Sequence, residues 1–99
     1  MSEKIEIEKG FIEFIQVADF ADIHDVFIEE EHRGLGLGNF LMQQFLAEMK
    51  ARNVRHVTLE VRVDNLKAIS LYEKSGFEKI NVRKNYYQGI DGILMSLDI

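Results

Sequence analysis

The spacing of apolar and polar positions outlines most of the elements before any residue is considered for its chemistry. Residues 4–8 (KIEIE) alternate strictly and Lys9-Gly10 follows as a turn signal, which predicts a first strand and a hairpin turn. Residues 11–18 predict the second strand. The chain turns around residues 19–22, and residues 23–29, rich in β-branched and aromatic side chains, predict the third. The period then changes. Positions 38, 41, 42, 45, 46 and 49 are small or apolar and form one helical stripe. Lys50 and Arg52 fall in its last turn, where cations suit the helix dipole, and Asn53 is suited to a left-handed cap. Residues 56–62 alternate Val57, Leu59 and Val61 with polar neighbours, the mark of a strand. Asp64 or Asn65 caps a short helix carrying Leu66, Ile69 and Tyr72, and Gly76 ends it. Residues 77–83 and 93–97 predict two last strands joined through a loop over 85–92. The order β-β-β-α-β-α-β-β is that of an α/β (α+β) mixed sheet with helices packed on it, in a single domain over 1–99.

Composition narrows the function classes. The chain of 99 residues is 46% hydrophobic and 29% charged, the ordinary globular range. Its apolar runs are too short to span a bilayer, and its first ten residues lack the apolar core of a signal peptide. Zero cysteines exclude a thiolate metal site and a cysteine nucleophile and fit a reducing compartment, so the expected location is the cytoplasm. A net charge of -5 argues against nucleic acid as a main partner. His24, His32 and His56 lack a metal-ligand spacing, so no metal is expected.

The segment Arg33-Gly34-Leu35-Gly36-Leu37-Gly38-Asn39 joins the third strand to the first helix. A glycine-rich turn feeding a helix aims unpaired backbone N–H groups at one point, where the dipole also favours negative charge. Gly36 and Gly38 would let backbone approach a pyrophosphate, and Gly34 frees the turn. A tight turn with no ligand accounts for the composition equally well. A dinucleotide fingerprint fails because positions 39 and 41 are Asn39 and Leu41, and no Gly-Lys-Ser/Thr ending supplies a P-loop.

The loop resembles the GNAT signature Arg/Gln-x-x-Gly-x-Gly/Ala. The likeness continues through Leu59-Glu60-Val61-Arg62, Asn65, Leu71-Tyr72-Glu73-Lys74-Ser75-Gly76-Phe77 and Arg83-Lys84-Asn85-Tyr86-Tyr87, which follow the ribosomal-protein-alanine N-acetyltransferases in order and spacing. The resemblance covers roughly the last three-quarters of the chain. It implies transfer of an acetyl group from acetyl-CoA to a primary amine, such as a protein N-terminus, directly within a ternary complex. Val26, Phe27 and Ile28 would present strand backbone to the acetyl and pantetheine groups. Arg33, Gly34, Leu35, Gly36, Leu37, Gly38 and Asn39 would cradle the pyrophosphate, and Asn65 would bond the pantetheine arm. Glu60 matches the general base and Tyr72 the general acid.

Each of these residues also has a plainer reading. Glu60 alternates with Leu59 and Val61 as a solvent-facing strand residue does, Tyr72 shares a helical stripe with Ile69, and Asn65 is explained as a cap. Glu29-Glu30-Glu31 reads as a solvated strand end. A complete domain of this family begins with another strand and two helices, which this chain is expected to lack. In residues 11–18, Phe11, Ile15 and Val17 point one way and Ile12 and Phe14 the other, so both faces need cover. A homodimer is expected. The rival reading is a non-catalytic acyl-CoA-binding or protein-interaction module with a degenerate acceptor site.

Overall fold

A computed structural model describes residues 1–34 and 36–99. Six strands form one sheet: β1 (Glu3–Ile7), β2 (Gly10–Val17), β3 (Phe20–Ile28), β4 (His56–Arg62), β5 (Glu78–Tyr87) and β6 (Ile90–Asp98), in the spatial order β1-β2-β3-β4-β6-β5. Helix α1 (Leu37–Ala51) joins β3 to β4, and α2 (Leu66–Lys74) joins β4 to β5. All pairs are antiparallel except β3 with β4, as a helical crossover requires. The mixed sheet read from the sequence is therefore the architecture observed.

The stripe on α1 buries Leu41, Met42, Phe45, Leu46 and Met49. Phe45 meets Phe14 of β2 edge-on at 5.1 Å. One continuous core joins them to Val57, Leu59 and Val61 of β4, to Ile93 and Met95 of β6, and to Ile69 and Tyr72 of α2. Both helices end in the same way. Asn53 adopts φ 62 after α1, with Asn53 N donating to Lys50 O at 3.0 Å and Val54 N to Met49 O at 2.9 Å. After α2, Gly76 adopts φ 103, Gly76 N donates to Glu73 O at 3.0 Å and Phe77 N to Tyr72 O at 2.9 Å. These are Schellman closures, and their apolar contact is made at α2 by the rings of Tyr72 and Phe77, 6.0 Å apart.

Several strand boundaries shift by one residue from the sequence expectation, and the start of β3 and the β5–β6 hairpin differ by more. Strand β3 begins at Phe20, because the turn before it is only Ala18-Asp19, with Ala18 at φ 53. The β5–β6 hairpin runs on to a tight turn at Gln88-Gly89, in place of a loop over 85–92. The two-faced character of β2 is as expected. Ile12 and Phe14 are fully buried, whereas Phe11 stacks on Phe27 of β3 on the other face at 5.4 Å and Val17 is exposed.

Candidate active site

Strands β3 and β4 pair only from Phe20↔His56 to Ile23↔Leu59. Beyond that point β3 continues to Ile28 and β4 to Arg62 without pairing to each other. The divergence begins at a bulge: Glu13 of β2 faces Asp25 and Phe14 faces Ile23, so His24 is left without a partner. Bulges bend a strand and re-aim its side chains, and this one shifts the core-facing positions from Ala21 and Ile23 to Val26 and Ile28. A cleft opens through the sheet as a result.

Three contiguous cavities fill the cleft. The largest, ≈ 550 Å³, lies between Val26 and Ile28 of β3, the loop at Arg33-Gly34, Gly38 of α1, and the N-cap Asn65 and Leu71 of α2. The middle one, ≈ 220 Å³, shares Val26, Asn65 and Tyr72 with it and adds Glu60 and Tyr87. The third shares Ile23, His24, Glu60 and Tyr87 with the middle one and ends at Arg83 and Tyr86. One passage therefore runs from the glycine loop, past Tyr72, to Glu60 and the tyrosine pair.

The loop end suits an anion. Gly36 precedes α1 in the left-handed region at φ 79, a conformation that favours glycine, and makes no side-chain cap. The amides of Leu37, Gly38 and Asn39 precede the first intrahelical bond, which runs from Phe40 N to Gly36 O at 3.1 Å. In a chain of net charge -5, this cavity is lined by His32, Arg33 and Lys67 and by no acidic side chain among the described residues. Arg33 also donates from Nε to Ile28 O at 2.9 Å, which ties the loop to the end of β3. Gly38 has a packing role as well: a Cβ there would stand 3.3 Å from Leu71 Cδ2, so its absence lets α1 and α2 approach. Asn65 caps α2 through Oδ1, 3.2 Å from Ala68 N, which leaves its Nδ2 group for the cavity wall. Val26 and Ile28 line the cavity, whereas the Phe27 ring turns to the opposite face against Phe11. Leu35 lies outside the described residues.

At the centre, Tyr72 is buried and held by the cap of α2. Burial, with smaller contributions from Asp25 and Tyr87, pushes its phenol up to about 12, so it keeps its proton at neutral pH. Glu60 projects from the other face of β4. Its Oε2 is buried, makes no hydrogen bond among the described residues, and lies 3.3 Å from Arg83 Nε. Burial and the neighbouring Glu60 and Tyr86 raise the Tyr87 phenol, against the opposing charges of Arg62 and Arg83.

Gly92 of β6 is a site residue that the sequence reading missed. A Cβ on it would lie 3.1 Å from Tyr87 Cε2, 3.2 Å from Glu60 Oε2 and 3.3 Å from Tyr86 Cδ2. A glycine inside a strand signals close approach, but the sequence places Gly92 at the end of a loop, and only the extension of β6 back to Ile90 puts it inside a strand. No described cluster of His, Asp and Glu could hold a metal ion, and no described helix is long and apolar enough to cross a membrane.

Residues 9–77, which include β2, β3 and the whole glycine loop, match the acetyltransferase (GNAT) family. The chain belongs to the GNAT family. Ribosomal protein bS18-alanine N-acetyltransferase of Escherichia coli (strain K12) is 37% identical over 87 residues, covering 84% of this chain and 59% of that protein. An N-alpha-acetyltransferase of Sulfurisphaera tokodaii is 38% identical over 95 residues, covering 91% of this chain and 57% of that protein. The crystal structure of the Escherichia coli ribosomal-protein-S18-alanine N-acetyltransferase superposes with a TM-score of 0.88 at 35% identity, over 92% of this chain and 61% of that one. The chain thus spans about three-fifths of the length of these GNAT relatives.

Proposed function

We propose that this chain carries the coenzyme cleft and catalytic pair of a cytoplasmic N-acetyltransferase that moves an acetyl group from acetyl-CoA to a protein N-terminal amine. The observation that carries the reading is the passage joining a cationic cavity at a helix N-terminus, lined by no acidic side chain among the described residues, to a buried phenol and a half-buried carboxylate. The relatives named for alanine N-acetylation and N-alpha-acetylation support the acceptor class.

The residues divide the work as follows. The amides of Leu37, Gly38 and Asn39, with Arg33 and Lys67, bind the pyrophosphate, and Asn65 bonds the pantetheine arm. Acetyl-CoA supplies an activated acyl group as a thioester. The edge of β3 beyond Ile23 pairs with no strand on the cleft side, so its backbone N–H groups are available to a carbonyl oxygen gaining negative charge. Glu60 takes one proton from the incoming ammonium, directly or through water. That is a light task, because an α-amino group has a pKa of about 7.7–8.0 against about 10.4 for lysine. The neutral nitrogen forms the new amide bond as the carbon–sulfur bond breaks, and Tyr72 donates its proton to the leaving sulfur. The acylated nitrogen releases its remaining extra proton to solvent to give the neutral amide. Glu60 and Tyr72 then exchange protons with solvent. With zero cysteines, no thiol-linked acetyl-enzyme forms and transfer is direct.

The protein acts as a homodimer in this proposal. Phe11 and Phe27 stack on the sheet face away from the core, and Phe27 and Val17 are exposed there, so a second copy is proposed to cover this face. Sedimentation at micromolar concentration checks this, and a clean monomer contradicts it.

The function is tested by steady-state acetyl transfer to peptides with a free N-terminus and to the same peptides blocked at that amine with an internal lysine. Transfer to the free N-terminus alone is expected. Coenzyme binding without transfer to either peptide would instead establish an acyl-CoA-binding module.

A further inference from the structure

Strands β5 and β6 are in register at Arg83↔Gly92 and again at Tyr87↔Ile90. Between these pairs β5 has three residues, Lys84, Asn85 and Tyr86, where β6 has only Asp91. A bulge of this size interrupts the backbone ladder, and here one side chain replaces the missing contacts. Asp91 Oδ1 accepts from the backbone N–H of Asn85 at 3.0 Å, and Oδ2 accepts from Lys84 Nζ at 3.3 Å. Asn85 is thereby held at φ 54, in the left-handed region. The backbone carbonyl of Asp91 accepts from Val63 N at 2.9 Å, which ties the same residue to the segment just after β4.

The bulge ends in the tyrosine pair. Tyr86 and Tyr87 meet edge-on at 4.8 Å, and Arg83 Cζ lies 4.8 Å from the Tyr86 ring centroid. Both rings and Arg83 close the far end of the passage, next to Glu60. We propose that Asp91 is a positioning residue for the acceptor: by pinning the 84–86 bulge it sets the wall, Tyr86 and Tyr87, against which the N-terminal peptide lies beside Glu60. Bulges re-aim side chains next to functional sites, and a strand lacking this anchor returns Asn85 to an ordinary φ and turns both rings. The accepting oxygen does the pinning, so an asparagine at position 91 keeps it and an alanine does not. The carboxyl is held below the ordinary carboxylate range, first by the Asn85 amide and then by Lys84, with desolvation opposing, which agrees with an anion engaged in this bond.

The inference rests on the acetyltransferase reading, and its experiment separates the two. Asp91→Ala is expected to raise the KM for acceptor peptide about 10-fold or more, with the KM for acetyl-CoA unchanged. Asp91→Asn restores most of the difference. Nuclear magnetic resonance of the same variants supplies a readout independent of turnover. In Asp91→Ala the Asn85 amide and the Tyr86 and Tyr87 ring signals move, while the Gly36 and Gly38 amides stay in place. If the wild-type protein acetylates no amine, the functional reading falls and the ring signals alone judge the role of Asp91. Ring signals unmoved in Asp91→Ala overturn the inference, as does an acceptor KM unchanged in an active enzyme.

Discussion

Arg83 Nε stands 3.3 Å from Glu60 Oε2, so the carboxylate at the proposed acceptor end of the cleft is already paired with a cation. The side chains are 52% and 18% exposed respectively, which leaves the arginine free to swing into solvent and the carboxylate fixed in the wall. An incoming ammonium can replace the guanidinium at that oxygen without either charge being left alone in a dry site.

Glu60→Gln keeps the shape of the side chain and removes the proton acceptor. Turnover is expected to fall about 10²- to 10⁴-fold. Affinity for acetyl-CoA stays unchanged, because Glu60 does not line the coenzyme cavity. Rate measurements paired with calorimetry check this. Equal turnover by the variant across pH removes Glu60 from the mechanism.

Tyr72→Phe lowers turnover by less than Glu60→Gln, since a thiolate leaving group has a pKa near that of a cysteine, about 8.5. The same substitution reads out burial. The phenol is raised from 10.0 to about 12, so the folded chain keeps a proton that the unfolded chain releases. The associated stabilisation is complete below pH 10 and disappears as pH rises through about 12. It amounts to at most about 3 kcal/mol. Denaturant unfolding across this window is expected to lose stability more steeply in the wild type than in Tyr72→Phe. Parallel curves would mean that the hydroxyl is solvated.

Lys67→Glu reverses a charge on the wall of the proposed coenzyme cavity. Affinity for acetyl-CoA should fall several-fold at low salt, and the difference from wild type should shrink as salt screens it. The substitution lies on an exposed helical position, so thermal stability is expected to hold. Unchanged affinity at low salt would move the pyrophosphate away from this wall. Gly38→Glu is a less clean probe, because its Cβ also meets Leu71.

Gly92→Ala places a methyl group 3.1–3.3 Å from atoms of Tyr87, Glu60 and Tyr86. All three are side-chain atoms able to yield by a few tenths of an ångström, so the fold survives and the acceptor end shifts. Acceptor turnover is expected to drop roughly 10-fold or more with coenzyme affinity retained. A fully active variant would show that the acceptor does not contact this cluster.

Legibility in the sequence followed the range of the interactions. The α1 stripe, the Asn53 and Gly76 closures and the Asn65 cap were readable because each is fixed within one or two turns of chain. The start of β3 was placed late because the bulge at His24 shifts the alternation, so Ala21 and Ile23 fall out of phase with Val26 and Ile28. The full length of β5 was hidden because the alternation of Ile80 and Val82 with polar neighbours stops at Arg83, while every residue from Glu78 to Tyr86 is exposed. The cleft itself had no local signal, since it arises where β3 and β4, far apart in sequence, cease to pair. Glu60 and Tyr72 therefore became candidates only through their joint spacing with the family motifs, and Gly92, placed at a loop end by the sequence, gave no signal at all.

The central claim is that the cleft between β3 and β4 holds acetyl-CoA, and calorimetric titration of the protein with acetyl-CoA tests it most directly. The account predicts saturable binding with about one coenzyme per chain, weakened in Lys67→Glu and preserved in Glu60→Gln. No binding at millimolar coenzyme would contradict it.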